Sequence, residues 1–357
     1  MSLTKLEIDR YITTLRTKSK EFNSISNVQL ASMLEETISN INEVAYFWAT
    51  ICSDNKGTTK TPAEGEEWAG GPYAAVLATQ YYRDSLIDDT DLKVKKYNEK
   101  ENSYKVFPNN IIEKLSFPYI NAKVYFNKSM SFDDINQYRG FSKRYDIDPS
   151  ITLVLGAGNY SSIPYLDVMY HLVTRRSVIL LKLNPVNEYL KPVFEKVFEN
   201  FIERGYIIIT TGNIDESRYM SKHPGVNHIH LTGSDKTYED IVYGRELSDS
   251  DKKVKHLRKI NNKTITSELG NVTPIIIHPG KWSTSDIKYQ ARKIVTGKLN
   301  NNGFNCISAQ VVVLPDGWGH TETLIKYIKY YMNKVKERKA YYPCLLYTSP
   351  SPRDSAL

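Results

Sequence analysis

Cys306 closes the segment Asn302-Gly303-Phe304-Asn305-Cys306, a Gly/Asn-rich turn that leads into an apolar run from Ala309. A thiol attacks carbon only as thiolate, and a free one titrates near ~8.5, so the site must hold the anion to make it reactive near neutrality. The N–H groups of such a turn can do that. The plainer alternative is a buried, inert cysteine. Glu268 ends a strand-like run from Thr264. Partial burial there raises a carboxyl pKa enough for it to take a proton from water, whereas a solvated strand-end glutamate does nothing of the kind. Gly156-Ala157-Gly158 follows another strand-like run, Ile151 to Leu155, and lets backbone N–H groups approach a phosphate. With Ser161 where the third glycine of GxGxxG belongs, a tight turn is an equal reading. His228, His230 and His278 show no metal-ligand spacing, and no metal site is expected.

The elements that must position these residues follow from periodicity. Ser26-Asn27-Val28-Gln29 has the form of a capping box, and Leu30, Leu34, Ile41, Ala45 and Trp48 recur at helical spacing to about Cys52. A Gly/Pro/Thr-rich loop is expected from Ser53 to Pro72, a helix from Tyr73 to Leu86, and short strands at Ser103–Val106 and Ile120–Phe126. From Ile151 strand and helix alternate, the sign of a parallel sheet with crossover helices. The strands are Ile151–Leu155, Ser177–Lys182, Tyr206–Thr210 and Val226–Leu231. One helix between them carries Leu190, Val193, Phe194, Val197, Phe198 and Phe201 on one face and is closed by Gly205. The charged stretch Arg245 to Lys263 reads as a surface insertion at a domain boundary, with a second α/β unit starting at Thr264.

The fold class is therefore α/β: a helical N-terminal segment with short strands over 1–150, a nucleotide-binding core over 151–260, and an incomplete catalytic domain over 261–343. Residues 344–357, with Ser349-Pro350-Ser351-Pro352-Arg353-Asp354, fit neither period and read as a non-native tail. A chain of 357 residues has room for about two domains. Its +7 charge is spread among interleaved acids and bases, which argues against a nucleic-acid surface. No apolar run reaches the roughly 18 residues of a membrane span, and the charged start is unlike a signal peptide. Cys52, Cys306 and Cys344 lack CxxC spacing, so neither a disulfide framework nor a zinc site is expected, and a cytoplasmic location fits.

Several separated motifs together resemble the aldehyde dehydrogenase superfamily between about Ile151 and Leu314. They are Gly158-Asn159-Tyr160, Val178-Ile179-Leu180-Leu181-Lys182, Thr232-Gly233-Ser234, Glu268-Leu269-Gly270-Asn271 and the segment ending in Cys306. Asn184-Pro185-Val186-Asn187 after the lysine is similar to a less-studied branch. The resemblance implies that Cys306 is the nucleophile, that the Asn159 amide and the Cys306 N–H hold the oxyanion, and that Glu268 directs water onto a thioester. It implies NAD or NADP held by Gly158, Lys182, Gly233 and Ser234. Many NAD-preferring members carry a glutamate where this chain has Pro185, which leaves NADP open beside NAD. Because CoA-linked relatives lack the base, Glu268 favours hydrolysis to a carboxylate.

The partners then expected are a small-molecule aldehyde and, for the full-length protein, further copies of itself, with no nucleic acid and no membrane. Family members continue well past the cysteine, so the chain reads as C-terminally truncated, and an inactive fragment is one alternative. Another is a Rossmann-type dehydrogenase using the Gly156 turn with Cys306 structural. The bland alternatives for single residues are a left-handed turn for Asn159, a water-reaching strand-end lysine for Lys182 and an ordinary N-cap for Ser234. The Glu66-Glu67-Trp68-Ala69-Gly70-Gly71-Pro72 loop reads either as a substrate-side lid or, more simply, as a surface loop anchored by its tryptophan.

Overall fold

Capping fixes where the first helices begin. In the computed structural model, which describes residues 3–87, 94–138, 147–254, 256–336 and 338–342, Thr4 and Glu7 cap the helix Lys5–Asn23 reciprocally. Ser26 and Gln29 do the same for Asn27–Lys56, as the sequence implies, and Gly57 ends it in the left-handed conformation at φ 68°. Ile8, Ile12, Leu15, Leu30, Leu34, Ile41 and Trp48 from these helices are buried in the same core as the strands of the main sheet. The N-terminal segment is thus one wall of the sheet domain. Trp48 packs edge-on against Tyr165 and Phe194.

Residues 53–72, expected as loop, are mostly ordered by helix. The second helix runs on to Lys56, a short helix spans Glu64–Trp68, and a wide turn over Ala69–Tyr73 passes into the helix Ala74–Ile87. Gly70 and Gly71 mark that turn because a Cβ on Gly70 would lie within 2.2 Å of two Tyr160 ring carbons.

Three strands, β1 (Tyr97–Asn98), β2 (Ser103–Phe107) and β3 (Ala122–Tyr125), make a small antiparallel sheet. The main sheet contains β4 (Ile151–Leu155), β5 (Val178–Lys182), β6 (Ile207–Thr210), β7 (His228–Gly233) and β8 (Thr264–Leu269), all parallel, in the order β6-β5-β4-β7-β8. β4 and β5 are buried along their whole length, as near-continuous apolar runs between two helix layers should be. Leu190, Val193, Phe194, Val197, Phe198 and Phe201 are all buried, as their spacing implies. Their helix is nonetheless broken, at Phe198, into Lys191–Val197 and Glu199–Glu203. Periodicity reports which face is buried, and a one-residue break leaves that face intact.

β8 departs from expectation. Expected to start a second unit, it instead pairs with β7 from His228↔Thr264 to Gly233↔Leu269 and is the edge strand of the first sheet. The charged stretch before it is a surface crossover that contains a helical turn, Asp249–Lys252. Lys263 ends that crossover by donating to the carbonyls of Ser221 and His223, at 2.7 and 2.6 Å. Charge density marks a solvent-facing connection, and such a connection need not divide domains.

Beyond β8, β9 (Pro274–Ile276) and β10 (Val311–Val313) pair in parallel. Ile277, Ile287, Ala291, Ile294 and Leu324 form a second, smaller core between them and the helices Thr284–Leu299 and Thr321–Met332. Among the described residues no helix is long and apolar enough to cross a membrane.

Candidate active site

Parallel strands deliver all their C-terminal ends to one edge of a sheet, where open α/β sheets place ligands. A cavity of about 1270 Å³ lies at that edge. Every site residue expected from the sequence lines it: Gly158 and Asn159 after β4, Lys182 at the end of β5, Gly233 and Ser234 after β7, Glu268 in β8, and Cys306. They come from five segments that are far apart in the chain and adjacent in the fold. Among the described residues no cluster of His, Cys, Asp and Glu is arranged to hold a metal.

On one side the cavity is built for close backbone approach. A Cβ on Gly158 would sit 2.9 Å from the Asn184 side chain and from the Tyr342 hydroxyl, so any larger residue must push these side chains aside. Ser234 caps the nine-residue helix Asp235–Tyr243, and its hydroxyl accepts from the Thr237 N–H. Ser234 is thus an N-cap, and the helix N-terminus behind it faces the cavity. Lys182 is buried, which holds its ammonium below the usual lysine range against the opposing pull of Glu188 and Glu216. That excludes the water-reaching lysine. Pro185 lines the same wall. Asn184, which sequence reasoning passes over as a site residue, accepts from the Val186 N–H and fixes the turn after β5. An Asn before Pro at a strand end is a readable turn signal. Arg218 and Arg245 also line this side; nothing local marks them, since ordinary surface arginines look the same.

The other side carries the thiol. Cys306 is exposed in the turn before β10. A cysteine kept for packing is buried, as Cys52 is, where burial pushes the thiol up to about 12. Asn301, Asn302 and Gly303 are consecutively left-handed at φ 50°, 56° and 77°, and this sharp reversal presents Cys306. The Asn159 Nδ2 donates to the Phe304 carbonyl at 3.1 Å, so its amide plane is fixed beside the thiol's turn, and among the described residues its second N–H has no acceptor. Among the described residues no hydrogen bond uses the Cys306 N–H. Asn305 donates to Asn300, which also accepts from the Tyr160 hydroxyl, at 2.7 and 2.8 Å.

Glu268 differs from expectation. It is exposed, not half-buried, because β8 is an edge strand whose outer side no further strand covers among the described residues. The half-burial expected of it therefore does not hold. Its position does: Glu268 lies opposite Thr232 in the register and on the cavity wall.

Residues 171–340 match the model of the aldehyde dehydrogenase family. No curated protein matches the chain. Among solved structures, the chain is similar to glyceraldehyde-3-phosphate dehydrogenase of Methanocaldococcus jannaschii, complexed with NADP, at 14% identity and a TM-score of 0.62, over 94% of this chain and 60% of that one. It is similar to a mutant aldehyde dehydrogenase of Pseudomonas syringae, complexed with NAD+ and octanal, at 13% identity and a TM-score of 0.60, over 94% and 56%. A Physcomitrella patens aldehyde dehydrogenase in complex with the product succinate matches at 14% identity and a TM-score of 0.60, over 94% and 58%. At these identities the likeness is one of fold. The chain spans less than two thirds of the length of each of these proteins.

Proposed function

We propose, from the match of residues 171–340 to the aldehyde dehydrogenase family, that the chain belongs to that superfamily and carries the site of a NAD(P)-dependent oxidation of an aldehyde to a carboxylic acid. The observation that carries this reading is the convergence of Cys306, Asn159, Glu268, Lys182 and Ser234 on one cavity.

The residues present fit a dinucleotide. Gly158 leaves room that any Cβ would fill, the helix after Ser234 turns its N-terminus toward the cavity, and Lys182 stands as a cation on the wall. Gly158, Lys182, Gly233 and Ser234 would hold the cofactor. Bound there, its nicotinamide would supply the hydride acceptor for the carbon being oxidised.

The protein's own residues then have distinct tasks. The Cys306 sulfur adds to the carbonyl carbon, and the carbonyl π pair moves to oxygen as the C–S bond forms. The resulting oxyanion is met by an N–H of Asn159 and by the Cys306 N–H, and donors of this kind contribute roughly 3 kcal/mol each. Re-forming the C=O as hydride departs leaves a thioester on Cys306. Glu268 takes a proton from water, the hydroxide oxygen attacks the thioester carbon, and the C–S bond breaks to give the acid and the thiolate. Exposure suits Glu268 to this task in one respect, since water reaches it without a channel.

The test is rapid mixing with an aldehyde panel and each cofactor. Cys306→Ala should abolish turnover. Glu268→Gln should give one burst of reduced cofactor and then stall, because only thioester hydrolysis is blocked. Normal turnover by Glu268→Gln refutes the base assignment, and normal turnover by Cys306→Ala refutes the whole reading.

A further inference from the structure

The segment Glu64–Trp68 carries a feature that the proposed reaction does not use. Its Glu67 forms an ion pair with Lys56, Nζ to Oε2 at 3.0 Å, and both side chains are buried, at 4% exposure for Lys56 and 1% for Glu67. Removing two charges from water is costly, and a buried pair contributes to stability only where hydrogen bonds satisfy it completely. Lys56 is satisfied. Its remaining N–H bonds go to the Asn159 carbonyl at 2.9 Å and to the Asn301 Oδ1 at 3.1 Å. One ammonium therefore ties together the second helix, the end of β4 and the turn that presents Cys306.

Neighbouring Glu66 reaches the same turn from another direction. Its Oε2 accepts from the Asn301 N–H at 2.9 Å, and Arg338 holds the carboxylate with two bonds of 2.8 and 2.9 Å. Asn301 also donates from Nδ2 to the Asn159 carbonyl at 3.2 Å and to Asn305 Oδ1 at 3.1 Å. Two asparagines in succession at positive φ persist only where their surroundings over-determine them. Here backbone, amide oxygen and amide nitrogen of Asn301 are all held.

We propose that the buried Lys56–Glu67 pair, with Glu66 beside it, is a positioning device that clamps the left-handed Asn301 turn to Asn159 and so sets the nucleophile against its oxyanion donor. It rests on the reading of Cys306 as nucleophile. Lys56 and Glu67 touch neither substrate nor cofactor, since neither lines the large cavity. They act through the asparagines.

The test replaces the pair by apolar groups of similar length, Lys56→Met with Glu67→Met, in the full chain. Buried pairs exchanged in this way commonly leave stability nearly unchanged. The expected result is an unfolding midpoint close to wild type, amide exchange in a 299–308 peptide faster by about 10-fold, and kcat lower by roughly 10- to 100-fold with the cofactor KM little changed. Asn301→Gly keeps the positive φ without strain and deletes only the anchored side chain; it should reproduce the local exchange change even if the double variant folds poorly. Wild-type exchange in that peptide in the variant that folds overturns the proposal, and so does faster exchange spread over the whole chain. Turnover retained by Cys306→Ala overturns the catalytic reading alone, because the exchange measurement still decides whether the clamp exists.

Discussion

Replacing Gly158 by alanine tests the cavity at the point where the structure leaves least room. The added Cβ would lie 2.9 Å from Cγ and Oδ1 of Asn184 and 2.9 Å from the Tyr342 hydroxyl. Carbon atoms in contact prefer about 3.5–4.0 Å, so a neighbour must move by roughly half an ångström or more, a shift that packed atoms do not absorb freely. Gly158 is not in the left-handed region, so the cost is steric alone. Tyr342 can swing away, being reached through its far end. Asn184 cannot move as cheaply, because its Oδ1 accepts from the Val186 N–H at 3.0 Å and holds the turn after β5. Losing that bond costs about 1 kcal/mol, and residual overpacking brings the total to about 1–3 kcal/mol. If the yielding side chain turns into the cavity, cofactor affinity should fall by about 5- to 150-fold. Denaturant unfolding and cofactor titration measure the two effects. Gly270, on the rim of the same cavity, has nothing within 4 Å of the point where a Cβ would stand, and Gly270→Ala should leave the unfolding midpoint where it is. A Gly158→Ala protein with wild-type stability and wild-type cofactor affinity would refute the argument from close approach.

Further outcomes follow from the same geometry. Asn159→Ala should lower kcat by about 10²–10³-fold through loss of one oxyanion donor, read by steady-state rates with saturating cofactor; an unchanged kcat removes Asn159 from the mechanism. Pro185→Glu places a carboxylate on the wall near Lys182 and should shift the NADP-to-NAD ratio of kcat/KM toward NAD by about 10-fold, at roughly 1.4 kcal/mol of repulsion with a 2′-phosphate; no shift puts the adenosine ribose elsewhere. His171, buried beside His230, His228 and Arg175 and without a hydrogen-bond partner among the described residues, is held neutral by burial, down to about 3 from an ordinary 6.5. The unfolded chain then binds a proton that the folded chain refuses, so this histidine's share of stability is complete above about 6.5 and is lost as pH falls toward about 3. His171→Phe should flatten that part of the stability curve, measured by denaturant unfolding at a series of pH values; parallel curves for the two proteins would show that His171 does not charge on unfolding. Iodoacetamide should label Cys306 and spare Cys52, as peptide mass analysis can show, and equal labelling of both would contradict the burial of Cys52.

What is legible in the sequence, and what is not, divides along a physical line. The strands β4 to β7 can be read because each is a short apolar run bounded by turn residues, and the meeting of the seven candidate residues on one cavity can be read because each stands at a strand end or in a turn. In a parallel sheet strand ends share an edge, so residues there meet whatever lies between them in the chain. β8 falls on the other side of the expected boundary because pairing with β7 is a non-local choice that the composition of 245–263 does not encode. The exposure of Glu268 escapes sequence reasoning for the same cause, since an edge strand and an inner strand can have the same sequence. The Lys56–Glu67–Asn301 clamp lies further still from local reading. Its members are ordinary residues of a helix, a short helix and a turn; Glu66 and Asn301 lie 235 positions apart in the chain. No periodicity or motif connects them. Asn301 and Asn302 do carry a local signal, because asparagine tolerates positive φ better than other residues with a Cβ, and a turn of this kind just before an exposed cysteine needs something to hold it. The inference available from sequence is thus that the turn is strained. Which groups hold it emerges only when the second helix is packed against the end of β4, where the Lys56 ammonium finds the one arrangement that uses all three of its hydrogens.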